Sequence, residues 1–258
     1  MKSDIAFVHA PSIYDFRRRP LKEGPISDVI PSTPLFEMYP VGFVSMLNHA
    51  LEEGFTGRIC NLAVLMLSDN AFDVEHYIKG VDADLFGIDL HWLPHVHGAF
   101  NVARLIKKIH PDRKIVFGGF SSSYFAEEIL AANEAVDYVL AGDLLEKQMN
   151  LLIDAVQKGS NLETVPNLVY RRNDKIVRNP PLKDPDPTAA EFINFKILVK
   201  NSLKYHDIRG HLPYYSWITN PAGMTLVQHG CQLNCRFLRG IKFCLQEPVL
   251  LHVPNPTG

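Results

Sequence analysis

Several things are scarce in this 258-residue chain, and each scarcity excludes something. No apolar run approaches the roughly 20 residues that span a bilayer, and the start lacks a charged stretch, an apolar stretch and a cleavage site. A cytoplasmic protein with no membrane partner is therefore expected. Charge of one sign is also lacking: 26 Lys and Arg against 28 Asp and Glu give a net charge of -2. That balance offers no footprint for nucleic acid, and the only basic run, Arg17 to Arg19, reads as solvated surface. Cysteine is sparse. Of four, Cys60 sits alone in an apolar segment and reads as a small core residue, while Cys231, Cys235 and Cys244 cluster near the carboxyl end.

What the chain does contain is alternation. DIAFVHA has strand length, and VGFVSMLNHALEEG spaces Val41, Val44, Leu47 and Leu51 as a helix ended by Gly54. The pattern continues with GRICNLAVLM as strand, FDVEHYIKGV as helix, DLFGIDL as strand, FNVARLIKKIH as helix and KIVFGG as strand. SYFAEEILAA as helix, VDYVLAG as strand and LLEKQMNLLIDAVQKG as helix complete it. Five strands alternating with five helices predict a flavodoxin-like, Rossmann-like doubly wound parallel sheet over residues 1–160. Residues 161–190 read as a hairpin turning at Arg172-Asn173-Asp174, then the proline-rich linker PPLKDPDPT. Residues 191–237 open a second unit, with a helix from Phe192 to Tyr205 and a short strand from Met224 to His229.

In such sheets ligands bind outside the carboxyl ends of the strands, where strand order reverses. That rule selects the connection Pro11 to Tyr39, the loop His91 to Gly98, and Gly118 to Tyr124. The first is long and carries Pro11, Pro20, Pro25, Pro31 and Pro34, yet its apolar content predicts order, as a flap over the strand ends or a wrap over a sheet edge. His91, His95 and His97 in HWLPHVHG have spacings open to metal ligation, but without a nearby carboxylate or thiolate a polar loop is the better reading. Gly118, Gly119, Ser121, Ser122 and Ser123 follow a strand and open a helix, so close backbone approach, hydroxyls and free N–H groups suit a phosphate- or amide-rich ligand. A helix cap explains one of those serines as well. Gly142 and Asp143, with Glu146 beyond, read first as a turn and capping arrangement.

HGCQLNCRF, residues 229–237, sets two thiols three residues apart after an apolar strand. Such a pair suits iron; two free cysteines in a loop, or a zinc site with Cys244, are the other readings. The spacing before Cys244 fits no common zinc finger.

In order and spacing, GPISDVIPSTPLFEMYPVGF, FGIDLHWLP, VFGGFSSSYFAEEI and VDYVLAGD, followed by PNLVYR and HGCQLNC, resemble one uncharacterised subfamily of the radical S-adenosylmethionine enzymes that carry an amino-terminal cobalamin-binding domain. The resemblance runs nearly to Phe237. It implies cobalamin as cofactor, with Gly118, Gly119, Ser121, Ser122, Ser123, Gly142 and Asp143 near its nucleotide tail and His91 near the corrin. Asp89-Leu90-His91 is similar to the D-x-H-x-x-G element that places histidine under cobalt, but Pro94 replaces the glycine and the segment follows the third strand, which disfavours a cobalt-ligating His91.

The family binds a 4Fe-4S cluster and S-adenosylmethionine through C-x3-C-x2-C. By position Cys231 and Cys235 are its first two iron ligands, and Leu238 stands where the third belongs. Leucine cannot ligate iron. Residues 238–258 resemble nothing in the family, and a permitted codon choice suggests why. Deleting one nucleotide at Leu238 converts Phe-Leu-Arg-Gly-Ile-Lys-Phe-Cys-Leu-Gln-Glu into Phe-Cys-Gly-Gly-Ser-Ser-Phe-Ala-Tyr-Arg, restoring the third cysteine. The expectation is therefore the cobalamin-binding portion of a radical S-adenosylmethionine enzyme, with an out-of-frame tail, no catalytic barrel, no stably held cluster and no activity alone. A cofactor-free α/β interaction module and a metal-binding protein using the carboxyl-terminal cysteines remain the alternatives.

Overall fold

The computed structural model describes residues 1–18, 37–182 and 194–221. Most of the Pro11 to Tyr39 connection, the middle of the linker, the strand from Met224, and Cys231, Cys235, Leu238 and Cys244 lie outside the described residues.

Five parallel strands form as the alternation predicts: β1 (Ser3–His9), β2 (Gly57–Asn61), β3 (Ala83–Asp89), β4 (Lys114–Gly118) and β5 (Tyr138–Leu140). Their spatial order is β2-β1-β3-β4-β5, so strand order reverses between β1 and β3. The hairpin does not stand apart. β6 (Leu168–Arg172) pairs antiparallel with β5, and β7 (Lys175–Arg178) pairs with β6, giving seven strands in one sheet. Asn173 and Asp174 make the hairpin turn with φ of 47° and 61°, the left-handed pair that matches the twist of a two-residue hairpin.

Helices cover both faces, which is why the strands are apolar throughout rather than alternating. Ile5 and Phe7 point to one core with Leu85, Val116, Val44 and Leu47 of α1 (Gly42–Glu52). Ala6 and Val8 point to the other, with Phe86, Ile88, Phe117 and helical residues such as Val102 and Ile106.

GRICNLAVLM is not one strand. Asn61 ends β2 and its side-chain oxygen accepts from Val64 N at 3.1 Å, capping α2 (Leu62–Ser68). A buried helix has the same composition as a buried strand, so the apolar run did not mark the break. The other helices are α3 (Val74–Lys79), α4 (Val96–Ile109), α5 (Phe120–Tyr124), α6 (Ala126–Ala132), α7 (Glu146–Lys158) and α8 (Phe195–Lys204). The segment expected as one helix from Ser123 is thus broken at Phe125, whose φ and ψ of -107° and 29° are not helical. Arg17 departs from a solvated run too: its guanidinium bonds Asp15 and the carbonyls of Asp69, Asn70 and Phe72.

Beyond the linker, α8 and the following turn seat on the β2 edge. Asn201 Nδ2 donates to Gly57 O at 2.7 Å, Asn61 Nδ2 to Leu212 O at 3.0 Å, and Arg58 pairs with Asp207 at 2.6 Å. One sheet edge therefore carries the hairpin, and the other is covered by residues that follow the linker.

Candidate functional site

The reversal of strand order puts the ends of β1 and β3 side by side, and each ends in a polar residue. His9 closes β1 and Asp89 closes β3; Nδ1 of His9 lies 2.9 Å from Asp89 Oδ1. After β3 a short 3₁₀ turn, Leu93–His95, brings a second imidazole inward. The two rings stand 5.4 Å apart. Glu37 enters from the end of the first connection, its Oε2 3.9 Å from His9 Nε2 and 3.5 Å from His95 Nε2. Its Oε1 accepts from both Ser12 N and Ser12 Oγ, at 3.1 and 2.7 Å. All four side chains are buried, Glu37 completely. Burial pushes the His9 imidazole toward the neutral form, but the charge and hydrogen bond of Asp89 and the charge of Glu37 outweigh it, so its pKa is raised.

Close packing brings these pieces together. A Cβ on Gly98, at the start of α4, would come within 1.5 Å of Pro11 O, and Gly98 N donates to Ser12 O at 3.0 Å. The loops after β1 and β3 are thus locked to each other.

Above this buried cluster the surface is apolar. His91 is half-buried, its ring 4.5 Å from that of Phe120, with Trp92 alongside. Trp92 is 51% exposed, Leu93 54%, Phe120 45% and Tyr124 48%. Burial lowers the His91 pKa, with Asp89 and Asp143 opposing, so its imidazole is neutral at ordinary pH. Exposed aromatic and aliphatic side chains gathered at strand ends are unusual for a surface that binds nothing.

Gly119 makes the β4 loop possible. Its φ is 108°, and an added Cβ would lie 2.8 Å from His91 N, so the two switch-point loops touch through backbone. The serines hold that contact. Ser121 Oγ donates to His91 O at 3.0 Å, while the Ser122 and Ser123 hydroxyls donate to Gly119 O at 2.9 and 2.7 Å. Ser123 Oγ also accepts from Gly142 N at 2.9 Å, tying in the β5 loop. Gly118, Gly119, Ser121 to Ser123, Gly142 and His91 are therefore one connected unit. The capping arrangement expected at Asp143 and Glu146 is absent: Asp143 accepts from Leu144 N, and Glu146 is buried in the first turn of α7, accepting from Ser45 Oγ at 2.7 Å.

The three histidines of HWLPHVHG do not converge. His91 faces Phe120, His97 Nδ1 accepts from Tyr14 N at 3.3 Å, and only His95 joins His9 and Glu37. At the opposite, amino-terminal ends of the strands a cleft is lined by Lys2, Asp84, Arg113, Lys114 and Gln157. Its charges neutralise one another, Asp84 pairing with both Lys2 and Arg113.

A fold ordered 2-1-3-4-5, with its open apolar face at the switch point, belongs to the class that binds ligands across strand ends. Comparison with known proteins is specific about which. Residues 28–146 match the B12 binding domain family. Over 202 residues the chain is 25% identical to an uncharacterized methyltransferase, PH0819, of Pyrococcus horikoshii, covering 77% of this chain and 40% of that protein. Among solved structures, it is similar to the radical S-adenosylmethionine methyltransferase TsrM of Kitasatospora setae with tryptophan substrate and a SAM analog bound. That match has a TM-score of 0.54 and 15% identity, over 89% of this chain and 40% of that one. The cobalamin-dependent S-adenosylmethionine radical enzyme OxsB matches with TM-score 0.54 and 14% identity, over 88% and 27%. The chain thus spans well under half the length of these relatives. At such identities the structural likeness is one of fold, while the family match bears out the resemblance to proteins with a cobalamin-binding domain. No helix among the described residues is long and apolar enough to cross a membrane.

Proposed function

We propose that this chain is the cobalamin-binding portion of a radical S-adenosylmethionine enzyme and binds the cofactor across the carboxyl ends of β1, β3, β4 and β5. The observation that carries the reading is the exposed apolar face of Trp92, Leu93, Phe120 and Tyr124 around half-buried His91, at the strand ends where order reverses. In this reading the corrin lies on that face. The nucleotide tail runs past Gly118 to Ser123 and Gly142, beside the close backbone contact with His91 that Gly119, lacking a Cβ, permits. Ser122 and Ser123 shape that passage from beneath, since both are buried and donate to Gly119 O. Asp143, beside Gly142, takes a polar group at the rim. Bound cobalamin supplies a methyl or alkyl carrier at cobalt.

By resemblance Cys231 and Cys235 belong to an iron-sulfur loop of the whole enzyme, and S-adenosylmethionine chemistry belongs with it. We read residues 238–258 as out of frame.

The test is titration of the purified, untagged chain with hydroxocobalamin, followed by visible spectrum and thermal unfolding. One equivalent should bind, and the melting temperature should rise, because a ligand that binds only the folded state stabilises it. Phe120→Asp should abolish both effects while leaving the fold intact, since its ring is exposed. Wild-type protein that shows neither effect would instead favour a cofactor-free interaction module.

A further inference from the structure

The cluster beneath the apolar face is not needed to explain a cofactor lying above it, and its chemistry is that of a metal site. One ring nitrogen each of His9 and His95 and a carboxylate oxygen of Glu37 all lie within 4.8 Å of one another, on three buried residues. His9 Nε2 is buried without a hydrogen-bond partner, which is costly for a ring nitrogen removed from water. Its other nitrogen is spoken for. Asp89 holds Nδ1 at 2.9 Å, which fixes the tautomer whose Nε2 lone pair points at Glu37. A carboxylate gripping one imidazole nitrogen so that the other can ligate is the usual support behind a metal-bound histidine. Glu37 is held in the same way, with Oε1 bonded by Ser12 N and Oγ while Oε2 faces the two rings.

The spacing fits an ion better than direct bonding. Glu37 Oε2 stands 3.5 Å from His95 Nε2 and 3.9 Å from His9 Nε2, both too long for good hydrogen bonds. Ligands at about 2.1 Å from a tetrahedral ion are about 3.4 Å apart, so modest contraction around one ion would bring all three into its shell. Charge points the same way. Two buried carboxylates, Asp89 and Glu37, face the two imidazoles, and a cation at their centre compensates both.

We propose that His9, His95 and Glu37 bind a divalent first-row transition ion at the β1/β3 switch point. Two imidazoles and one carboxylate select a borderline ion such as zinc or ferrous iron over calcium or magnesium, which want oxygen alone. Three protein ligands leave a position for water or a small ligand. The site draws His9 from the end of β1, Glu37 from the end of the first connection and His95 from the His91 to Gly98 loop, and does not depend on the cobalamin reading.

Cobalt(II) is the probe, because its visible bands report nitrogen and oxygen coordination and a separate charge-transfer band reports thiolate. The protein is the untagged, cobalamin-free full chain with Cys231, Cys235 and Cys244 replaced by serine, stripped with chelator. One equivalent of cobalt(II) should give ligand-field bands without a thiolate band, and one equivalent of zinc should displace it. Glu37→Gln and His95→Ala should each weaken binding by more than the roughly 10- to 100-fold that loss of an orienting partner brings. His76→Ala, on the exposed surface, should leave it unchanged. Circular dichroism establishes that each variant is folded. The proposal is overturned if the parent chain gives no ligand-field bands at millimolar cobalt, or if a folded Glu37→Gln or His95→Ala chain binds as the parent does. Zinc bound only when the three cysteines are restored would also overturn it, assigning metal to the carboxyl-terminal thiols.

Discussion

Asp89 at the end of β3 and His9 at the end of β1 are 80 residues apart in sequence and joined by one hydrogen bond of 2.9 Å. That bond spans the point where the strand order reverses, and it orients the His9 ring toward Glu37 and His95.

Asp89→Asn should therefore act on the metal site through His9. The amide cannot supply the charge that favours the required tautomer, and cobalt(II) affinity should fall roughly 10- to 100-fold with the same ligand-field bands. Isothermal titration of the serine-substituted chain reads this directly.

Gly119→Ala tests the backbone contact between the two switch-point loops. Its φ of 108° is unfavourable for alanine, and the new Cβ would meet His91 N at 2.8 Å. A loss of roughly 1–3 kcal/mol in stability is expected from strain alone, and cobalamin affinity should fall with it. Urea unfolding and cobalamin titration of the same variant measure both.

Asn61 has two duties that substitution can separate. Its oxygen caps α2 by accepting from Val64 N, and its Nδ2 donates to Leu212 O and Pro213 O. Asn61→Asp keeps the acceptor and loses the donor; Asn61→Ala loses both. Alanine should cost about 1 kcal/mol more than the aspartate change through the lost cap. Both changes should raise proteolysis in the segment 194–221, because the lost Nδ2 bonds to Leu212 O and Pro213 O anchor it to the sheet.

The pair Asp15–Arg17 gives stability a pH dependence. Burial pushes the Asp15 carboxyl up, but the hydrogen bonds and charge of Arg17 outweigh this and lower its pKa below 3.8. A carboxyl with a depressed folded pKa stabilises above its unfolded pKa and loses that contribution as pH falls through the folded value. Asp15→Asn should accordingly destabilise at pH 6 to 7 by about 1–3 kcal/mol, since it also strips a charged partner from Arg17. The gap from wild type should close as pH falls through the lowered folded-state pKa of Asp15.

The alternation of short apolar runs with amphipathic segments made the five parallel strands and their covering helices legible, because strands buried on both faces can only be apolar throughout. Strand order was legible only as a fold-class expectation. Two things were not. The break at Asn61 was hidden because Leu62 to Met66 suits a buried helix and a buried strand alike. The pairing of β6 with β5 leaves no local trace at all, since register across strands is a tertiary choice. At the site, Gly119, Ser121 to Ser123 and His91 were visible because they follow strands at the switch point. His9 and Glu37 were passed over: one ends an apolar strand and the other sits among Leu35, Phe36 and Met38. The available signal was a histidine and an aspartate closing two strands that a 2-1-3 order makes neighbours. Neither is informative until that order is known.

The measurement that reaches the central claim most directly is hydrogen exchange of the untagged chain with and without saturating hydroxocobalamin. Binding across the strand ends predicts slowed exchange in residues 91–96, 118–124 and 142–145, with Lys2, Arg113 and Gln157 at the opposite ends of the strands unaffected. Protection confined to those opposite ends, or no protection anywhere, would contradict it.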